Sequence, residues 1–155
     1  MRRSTAVIAL VSRRARGETL WLAGWNARWQ AYHFVGGHKE QDETFRECIV
    51  REITEELGLR EGTDYTLDDQ CPRRLEFTAM SRSAGVNTLY TMEVFAVTLS
   101  PELERTLAEC TPDVRWLSMS DIRNGLACDG RAVSETMATV LGRLDPDETA
   151  GATSS

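Results

Sequence analysis

Apolar residues in the first part of the chain occur in short runs that are separated by polar segments. Residues 5–11 are apolar on both faces, which is typical of a buried strand. Residues 19–25 and 29–35 have the same character, so we predict two further strands, and Gly36-Gly37 ends the third. Residues 12–18 are polar and fit a hairpin turn. The chain therefore begins with a strand-rich region.

From residue 43 onward the apolar period changes to that of an amphipathic helix. The apolar positions recur every fourth residue, at Phe45, Ile49, Ile53 and Leu57. Gly58 follows directly and is well placed to end the helix as its C-cap. Residues 38–42 are polar and irregular. The pattern predicts a loop, a helix with an apolar stripe toward the core, and a second loop.

The remaining chain alternates strand and helix patterns. We predict strands at residues 73–81, 87–100 and 114–117, a turn at 83–86, and helices at 121–125 and 134–144, the former capped by Ser118 or Ser120. Residues 102–113 are predicted as an acidic connection with room for a short helical turn. Strands on both sides of one central helix predict an α/β fold, an α/β/α sandwich with a mixed sheet covered by helices. Residues 1–144 are predicted as a single domain, and residues 145–155 have the small polar composition of a disordered tail.

The overall charge argues against one class of partner. The chain has 155 residues and a formal net charge of −6, so broad binding to a phosphate backbone is not expected and nucleic acid is an unlikely partner. The expected partner is a small molecule.

The cysteines and the apolar runs bear on the cellular compartment. The cysteines are Cys48, Cys71, Cys110 and Cys128, and their scattered positions indicate neither a zinc site nor a disulfide framework. We predict that each is a small buried thiol in a reducing cytoplasm. Since no apolar run is long enough to span a membrane, no membrane association is expected.

Glutamates crowd the polar face of the predicted central helix. Glu52, Glu55 and Glu56 stand at relative positions i, i+3 and i+4, so they converge within one turn. Like charges at these spacings destabilise a helix by a few tenths of a kcal/mol per pair, or about 0.2–0.5 kcal/mol. A divalent metal would offset this repulsion, and carboxylate oxygens are the hard ligands that Mg²⁺ prefers.

Residues 37–59 read GHKEQDETFRECIVREITEELGL and match the pattern G-x5-E-x7-R-E-U-x-E-E-x-G-U, with U aliphatic, at every defined position. The chain therefore resembles a Nudix hydrolase. The resemblance implies hydrolysis of a nucleoside diphosphate linked to another moiety X, with Mg²⁺ or Mn²⁺ held by glutamates of this box. Val35 and Asp42 depart from the residues common beside the box, which weakens assignment to a subfamily.

The resemblance also implies roles for residues in and before the box. Glu52 and Glu56 would be the core metal ligands, and Glu55 would complete the site or act catalytically by polarising water. Arg51 resembles the arginine that orients these glutamates. Glu43 would hold the loop or a second metal.

Substrate contacts and the general base are less sharply indicated. Gly36 and Gly37 would let the backbone approach the ligand, and His38 can either contact phosphate or remain a solvated loop residue. The aromatic candidates for stacking on a base are Trp25, Trp29 and Tyr32, for each of which core packing is the alternative. The candidate for the general base is Glu109, with Glu102, Glu104 and Asp113 as competitors and an ordinary exposed carboxylate as the alternative.

Other activities stay open from the sequence alone. The alternatives are a nucleoside triphosphate pyrophosphohydrolase that releases pyrophosphate, a non-catalytic Nudix-fold regulator that binds a nucleotide, an RNA-end hydrolase, and a phosphoryl-transfer or isomerising relative. Members of this family often dimerise, so the resemblance also leaves a homodimer open.

Overall fold

The computed structural model describes residues 2–80 and 85–144, without the side chains of residues 69–72. The chain forms two compact units, Met1–Leu10 with Val35–Thr98 and Val11–Phe34 with Leu99–Ser155. The strands are β1 (Arg2–Ala15), β2 (Glu18–Asn26), β3 (Ala31–His33), β4 (Gly36–His38), β5 (Tyr65–Met80), β6 (Asn87–Leu99) and β7 (Val114–Ser118). The helices are α1 (Phe45–Leu57), α2 (Pro101–Cys110), α3 (Met119–Asn124) and α4 (Glu135–Arg143).

The first unit contains the helix with the glutamate-rich face. In the sheet, β6 lies between β1 and β5, and β4 pairs antiparallel with β1 so that Ile8 faces Gly36 and Ala6 faces His38. Helix α1 packs against β4. Its inner face buries Ile49 and Ile53, as the apolar period predicts.

Local signals fix both ends of α1. The Thr44 hydroxyl accepts a hydrogen bond from the Glu47 amide, and the Glu47 carboxylate accepts one from the Thr44 amide, which forms a capping box. The helix therefore begins at Phe45, two residues later than predicted. At its end, Gly58 adopts the left-handed conformation with φ of 69° and donates to the Thr54 carbonyl, which confirms the predicted C-cap.

The second unit is organised around β2. This strand pairs antiparallel with the end of β1, with β3 and with β7. Helix α3 contacts α4, β7 and β2, and α2 contacts β7. Ser118 caps α3 and Ser134 caps α4, so the predicted cap at Ser118 is confirmed.

Around the glycine pair and in the acidic connection, the elements of the structure differ from the predicted ones. The predicted strand at 29–35 is confined to β3, because residues 27–30 form a turn in which Gln30 has φ of 53°. Gly36-Gly37 does not end a strand but belongs to β4. The acidic connection at 102–113 is mostly helix α2, which Ser100 caps and Pro101 begins, and which buries Leu107.

The cysteine prediction was wrong at two positions, and at Cys71 it falls on a side chain outside the described part of the chain. Cys48 is buried, whereas Cys110 at the end of α2 and Cys128 in a loop are exposed free thiols, because helix ends and loops lie at the surface. The predicted turn at 83–86 lies partly outside the described residues, and the tail from residue 145 lies wholly outside them. The single domain over residues 1–144 stays a prediction. No helix in the described part of the chain is long and apolar enough to cross a membrane.

Candidate active site

Arg51 is the centre of an ion-pair network on the exposed face of α1. Its guanidinium donates to both carboxylate oxygens of Glu43, at 2.6 and 3.0 Å, and to Glu52 at 3.1 Å and Glu55 at 3.3 Å. The Arg51 Nη2 also donates to the His38 carbonyl at 3.2 Å. A two-pronged arginine–carboxylate contact fixes direction as well as distance. The network thereby orients Glu43, Glu52 and Glu55 around one guanidinium group.

The same network sets the pKa of Glu43. The hydrogen bonds from Arg51 stabilise the ionised carboxylate, with a smaller contribution from the Glu40 amide, and lower the pKa of Glu43 to about 2. The Arg51 pKa is raised in turn, chiefly by Glu43. Glu43 therefore serves as a permanent anion that holds Arg51 in place.

Glu56 is in a different environment from Glu43. Its carboxylate accepts a hydrogen bond from the Gly36 amide at 3.0 Å and lies beside the carboxyl group of Glu52. The residue keeps contact with solvent, but the protein around its carboxyl group partly desolvates it. This desolvation, together with Glu52, outweighs the Gly36 hydrogen bond and raises the pKa of Glu56 to about 8.

The glycine pair lies directly against these carboxylates. A Cβ at Gly37 would overlap the Glu52 carboxylate, whose Cδ lies 2.7 Å from that position. A Cβ at Gly36 would overlap the carbonyl oxygen of Val7 on the paired strand. The next residue, His38, is exposed at the end of β4, and its Nδ1 lies 3.1 Å from the Ser4 hydroxyl. The backbone of β4 thus makes room for Glu52 and supplies a hydrogen bond to Glu56.

The donor set of this site fits a divalent cation. Within the described residues, no group of three or more His, Cys, Asp or Glu side chains forms a metal-binding cluster by itself. Mg²⁺, however, usually binds one or two carboxylates and takes its other ligands from water and substrate phosphates. Glu52 and Glu56 offer such a pair, and a cation would relieve the charge conflict that raises the Glu56 pKa.

The raised pKa of Glu56 predicts how stability changes with pH. The folded state favours the protonated carboxyl, so the metal-free protein should lose stability as pH rises from about 4.5 to about 8. A divalent cation binds the ionised form and should therefore raise the melting temperature more at about pH 8 than at about pH 5. Thermal melts with EDTA and with Mg²⁺ at both pH values measure this difference. Glu56→Gln should remove most of it, and an equal shift at both pH values would contradict the prediction.

The second unit carries a cleft of about 650 Å³. It is lined by Tyr32, Ala108, Glu109, Cys110, Thr111, Pro112, Asp113, Val114, Arg115, Trp116, Asp129 and Arg131. The Tyr32 side chain is buried, and its hydroxyl donates to Asp129 at 2.6 Å and accepts from the Arg115 Nε at 3.0 Å. Arg115 and Asp129 are also ion-paired at 3.0 Å. Burial and the Asp129 hydrogen bond raise the pKa of Tyr32.

The structure distributes the predicted substrate-contact residues over different surroundings. Tyr32 and Glu109 line the same cleft, with Glu109 exposed near the end of α2. Trp25 packs edge-on against Tyr32, with ring centroids 5.3 Å apart, and the Arg131 guanidinium lies 4.6 Å from its ring centroid. Trp29 packs edge-on against His33. The two tryptophans are half-buried and do not line the cleft.

Sequence reasoning did not find the charged partners of Tyr32. Arg115 and Asp129 are 83 and 97 residues from Tyr32 in the chain, so no local pattern connects them. Arg115 occupies an exposed position of the strand VRWLS, where a charged side chain is ordinary, so the strand itself carries no signal for this pairing.

Comparison with known proteins identifies the family. A family model described as NUDIX domain matches residues 1–138, so the chain belongs to the NUDIX family and the predicted resemblance is confirmed. The predicted fold class, a mixed sheet flanked by helices, is confirmed as well. Among curated proteins, none matches this chain.

Solved structures share this fold at low sequence identity. The C. elegans Ap4A hydrolase is 16% identical, with a TM-score of 0.57 over 92% of this chain and 95% of that one. A Clostridium perfringens hydrolase of the NUDIX family is 17% identical, with a TM-score of 0.54 over 90% and 94%. Shewanella oneidensis NrtR is 15% identical, with a TM-score of 0.57 over 90% of this chain but 63% of that one. These likenesses establish the fold.

Proposed function

We propose that this protein is a Mg²⁺- or Mn²⁺-dependent hydrolase that cleaves the diphosphate linkage of a nucleoside diphosphate joined to another moiety X. The observation that carries the proposal is the Glu52–Glu56 carboxylate pair, which Arg51 and the β4 backbone hold on one face of α1. A solvated acidic face would not need a bonded arginine, a backbone amide and a glycine beside it. The pair instead has the features of a cation site that awaits a phosphate-bearing ligand.

Each residue of the site then has a task. Glu52 and Glu56 would hold the metal. Arg51 would orient the carboxylate of Glu52, and the Gly36 amide would orient that of Glu56. A bound Mg²⁺ neutralises diphosphate charge and lowers the pKa of water. Glu55, whose side chain is 57% exposed, would polarise the attacking water or complete the metal site. Glu43 would act through Arg51, and Glu109 stays the predicted alternative for the general base.

Substrate contacts are proposed at both units separately. In the first unit, Gly37 and His38 are proposed to face the phosphates, because they lie on the strand that contacts the glutamates. In the second unit, Tyr32 is proposed to serve the base site through Arg115, because its buried hydroxyl holds that side chain in the lining of the cleft. Stacking of the base on Trp25 or Trp29, which do not line the cleft, is the alternative.

Product analysis tests the proposed reaction. The full chain with Mg²⁺ or Mn²⁺ is screened against nucleotide sugars, ADP-ribose, dinucleoside polyphosphates and nucleoside triphosphates, and the products are identified by ion-exchange chromatography. We expect a nucleoside monophosphate together with the phosphorylated X. Monophosphate with free pyrophosphate would support the triphosphate pyrophosphohydrolase instead.

A regulator is the second candidate function, because one structural neighbour, NrtR, has been solved with a 27mer DNA. The net charge of −6 argues against a DNA track in this chain. Nucleotide binding without turnover at saturating metal, with a shift of DNA mobility that salt abolishes, would favour the regulator over the hydrolase.

A further inference from the structure

The cleft in the second unit has the size of a small-molecule site and an unusual set of charges. Its volume of about 650 Å³ is within the range of ligand pockets, roughly 300–1,000 Å³. Three carboxylates, Glu109, Asp113 and Asp129, and two guanidinium groups, Arg115 and Arg131, line it. The net lining charge is thus −1, which disfavours a phosphate group as the occupant. A neutral ligand that has both hydrogen-bond donors and acceptors suits this lining.

Arg115 lines this cleft as a hydrogen-bond donor that protein contacts hold in place. Its Nε bonds to the Tyr32 hydroxyl, and Asp129 binds both the hydroxyl and the guanidinium. Because Tyr32 is only 1% exposed, these contacts, both of which are made by Nε, hold that end of the guanidinium from the protein side. The Arg115 side chain is still 50% exposed, so its two Nη groups can donate to a ligand. A fixed guanidinium edge matches two adjacent acceptors on a planar ligand.

Asp113 lines the same cleft as a hydrogen-bond acceptor that its own contacts hold in place. Its backbone has φ of 62°, which is uncommon outside glycine, and its carbonyl accepts a hydrogen bond from the Trp25 amide at 2.8 Å. Its carboxylate is ion-paired with the Arg131 Nη1 at 3.0 Å, and Arg131 in turn lies over the Trp25 ring. One such pairing leaves a carboxylate with lone pairs for further donors. Backbone strain of this kind is retained where the surrounding contacts over-determine it.

We propose that this cleft binds a guanine base. Guanine carries the acceptors O6 and N7 beside each other, which an arginine recognises with two parallel hydrogen bonds. On the adjoining edge it carries the donors N1–H and N2–H₂, which suit a carboxylate. Adenine has a single donor group, the N6 amino group, at the position where guanine has O6. That amino group would face the Arg115 guanidinium, donor against donor. Arg115 would read O6 and N7, and Asp113 would read the N2 amino group.

This inference rests on the proposed function in one respect, since it names the base of the nucleotide that would be hydrolysed. Binding to the cleft is nevertheless measurable without turnover. The experiment is isothermal titration calorimetry, in which the full chain in EDTA is titrated with guanosine, inosine and adenosine and the dissociation constants are compared. Guanosine should bind about tenfold more tightly than adenosine, because one good paired contact discriminates by about that factor or more. Inosine lacks the N2 amino group and should fall between them.

Two variants separate the contribution of Arg115 from that of Asp113. Arg115→Lys keeps the charge but loses the paired donors, so guanosine and inosine should both bind about tenfold more weakly. Asp113→Asn preserves the backbone, because asparagine tolerates a positive φ, and replaces the carboxylate by a neutral acceptor, so the preference of guanosine over inosine should be clearly reduced. Arg123→Lys and Asp68→Asn are the matched controls, since both positions are exposed and neither lines the cleft.

Equal affinity for the three nucleosides, no detectable binding, or a guanosine preference that both variants retain would each overturn the proposal. These outcomes differ from failure of the proposed hydrolase. A protein that binds guanosine in EDTA but hydrolyses nothing with Mg²⁺ or Mn²⁺ would retain the guanine site and lose the enzymatic assignment. A protein that hydrolyses diphosphates without a base preference would keep the enzymatic assignment and lose the guanine site.

Discussion

Glu56→Gln is expected to lower metal-dependent hydrolysis about a thousandfold while the protein stays folded. The glutamine keeps an oxygen that can accept the Gly36 amide hydrogen bond, so the contact between α1 and β4 is preserved. What is lost is the negative charge that would bind the cation. Metal-assisted charge stabilisation contributes several kcal/mol, and each 1.36 kcal/mol is a factor of about ten in rate.

Turnover of the best substrate from the screen, measured over a range of Mg²⁺ concentrations, checks this prediction. Circular dichroism and thermal melts in EDTA confirm folding, and the variant should melt no lower than the parent at about pH 8, because it lacks the desolvated charge. Glu135→Gln makes the same chemical change on the exposed first turn of α4 and should leave turnover unaltered. Near-normal rates in Glu56→Gln would remove the glutamate pair as the cation site.

Alanine substitutions at the two adjacent glycines are expected to fail in different ways. At Gly37 a Cβ meets the end of the Glu52 side chain, which can swing away, so the fold should survive and activity should fall about a hundredfold. At Gly36 a Cβ meets the Val7 carbonyl of the paired strand, which cannot move without breaking the β1–β4 pairing. Gly36→Ala should therefore destabilise the protein by about 3 kcal/mol or more.

Urea denaturation and turnover, measured on both variants, distinguish the two effects. Gly142→Ala is the control, since it lies in α4 with no atom within 4 Å of the added Cβ. That change should stabilise the helix by about 0.5–1 kcal/mol. If Gly37→Ala unfolds the protein, or if Gly36→Ala is as stable as the parent, the proposed division of roles between the glycines is wrong.

The sequence predicted α1 accurately because the signals for that helix are local. The four-residue apolar period and Gly58 lie within the helix or next to it, so chain context is not needed to interpret them. The Thr44 cap is just as local, but the prediction did not use it and began the helix two residues early. The same reasoning allowed only a short helical turn where the ten-residue helix α2 forms, because acidic residues obscured the Ser100 cap, Pro101, and an apolar pair at Leu103 and Leu107. It also misjudged Gly36-Gly37, because pairing with β1 depends on residues some thirty positions away.

The sequence by itself determined the family, through the box, and placed Glu52, Glu55 and Glu56 on one turn of one helix with Glu43 shortly before it. Tertiary structure decided how those glutamates differ. Arg51 keeps Glu43 ionised, while packing against β4 desolvates Glu56 and brings it to Gly36. Tertiary structure also brought Tyr32 together with Arg115 and Asp129, over separations of 83 and 97 residues. Contacts at such separations depend on how strands and loops pack, which periodicity and spacing do not encode.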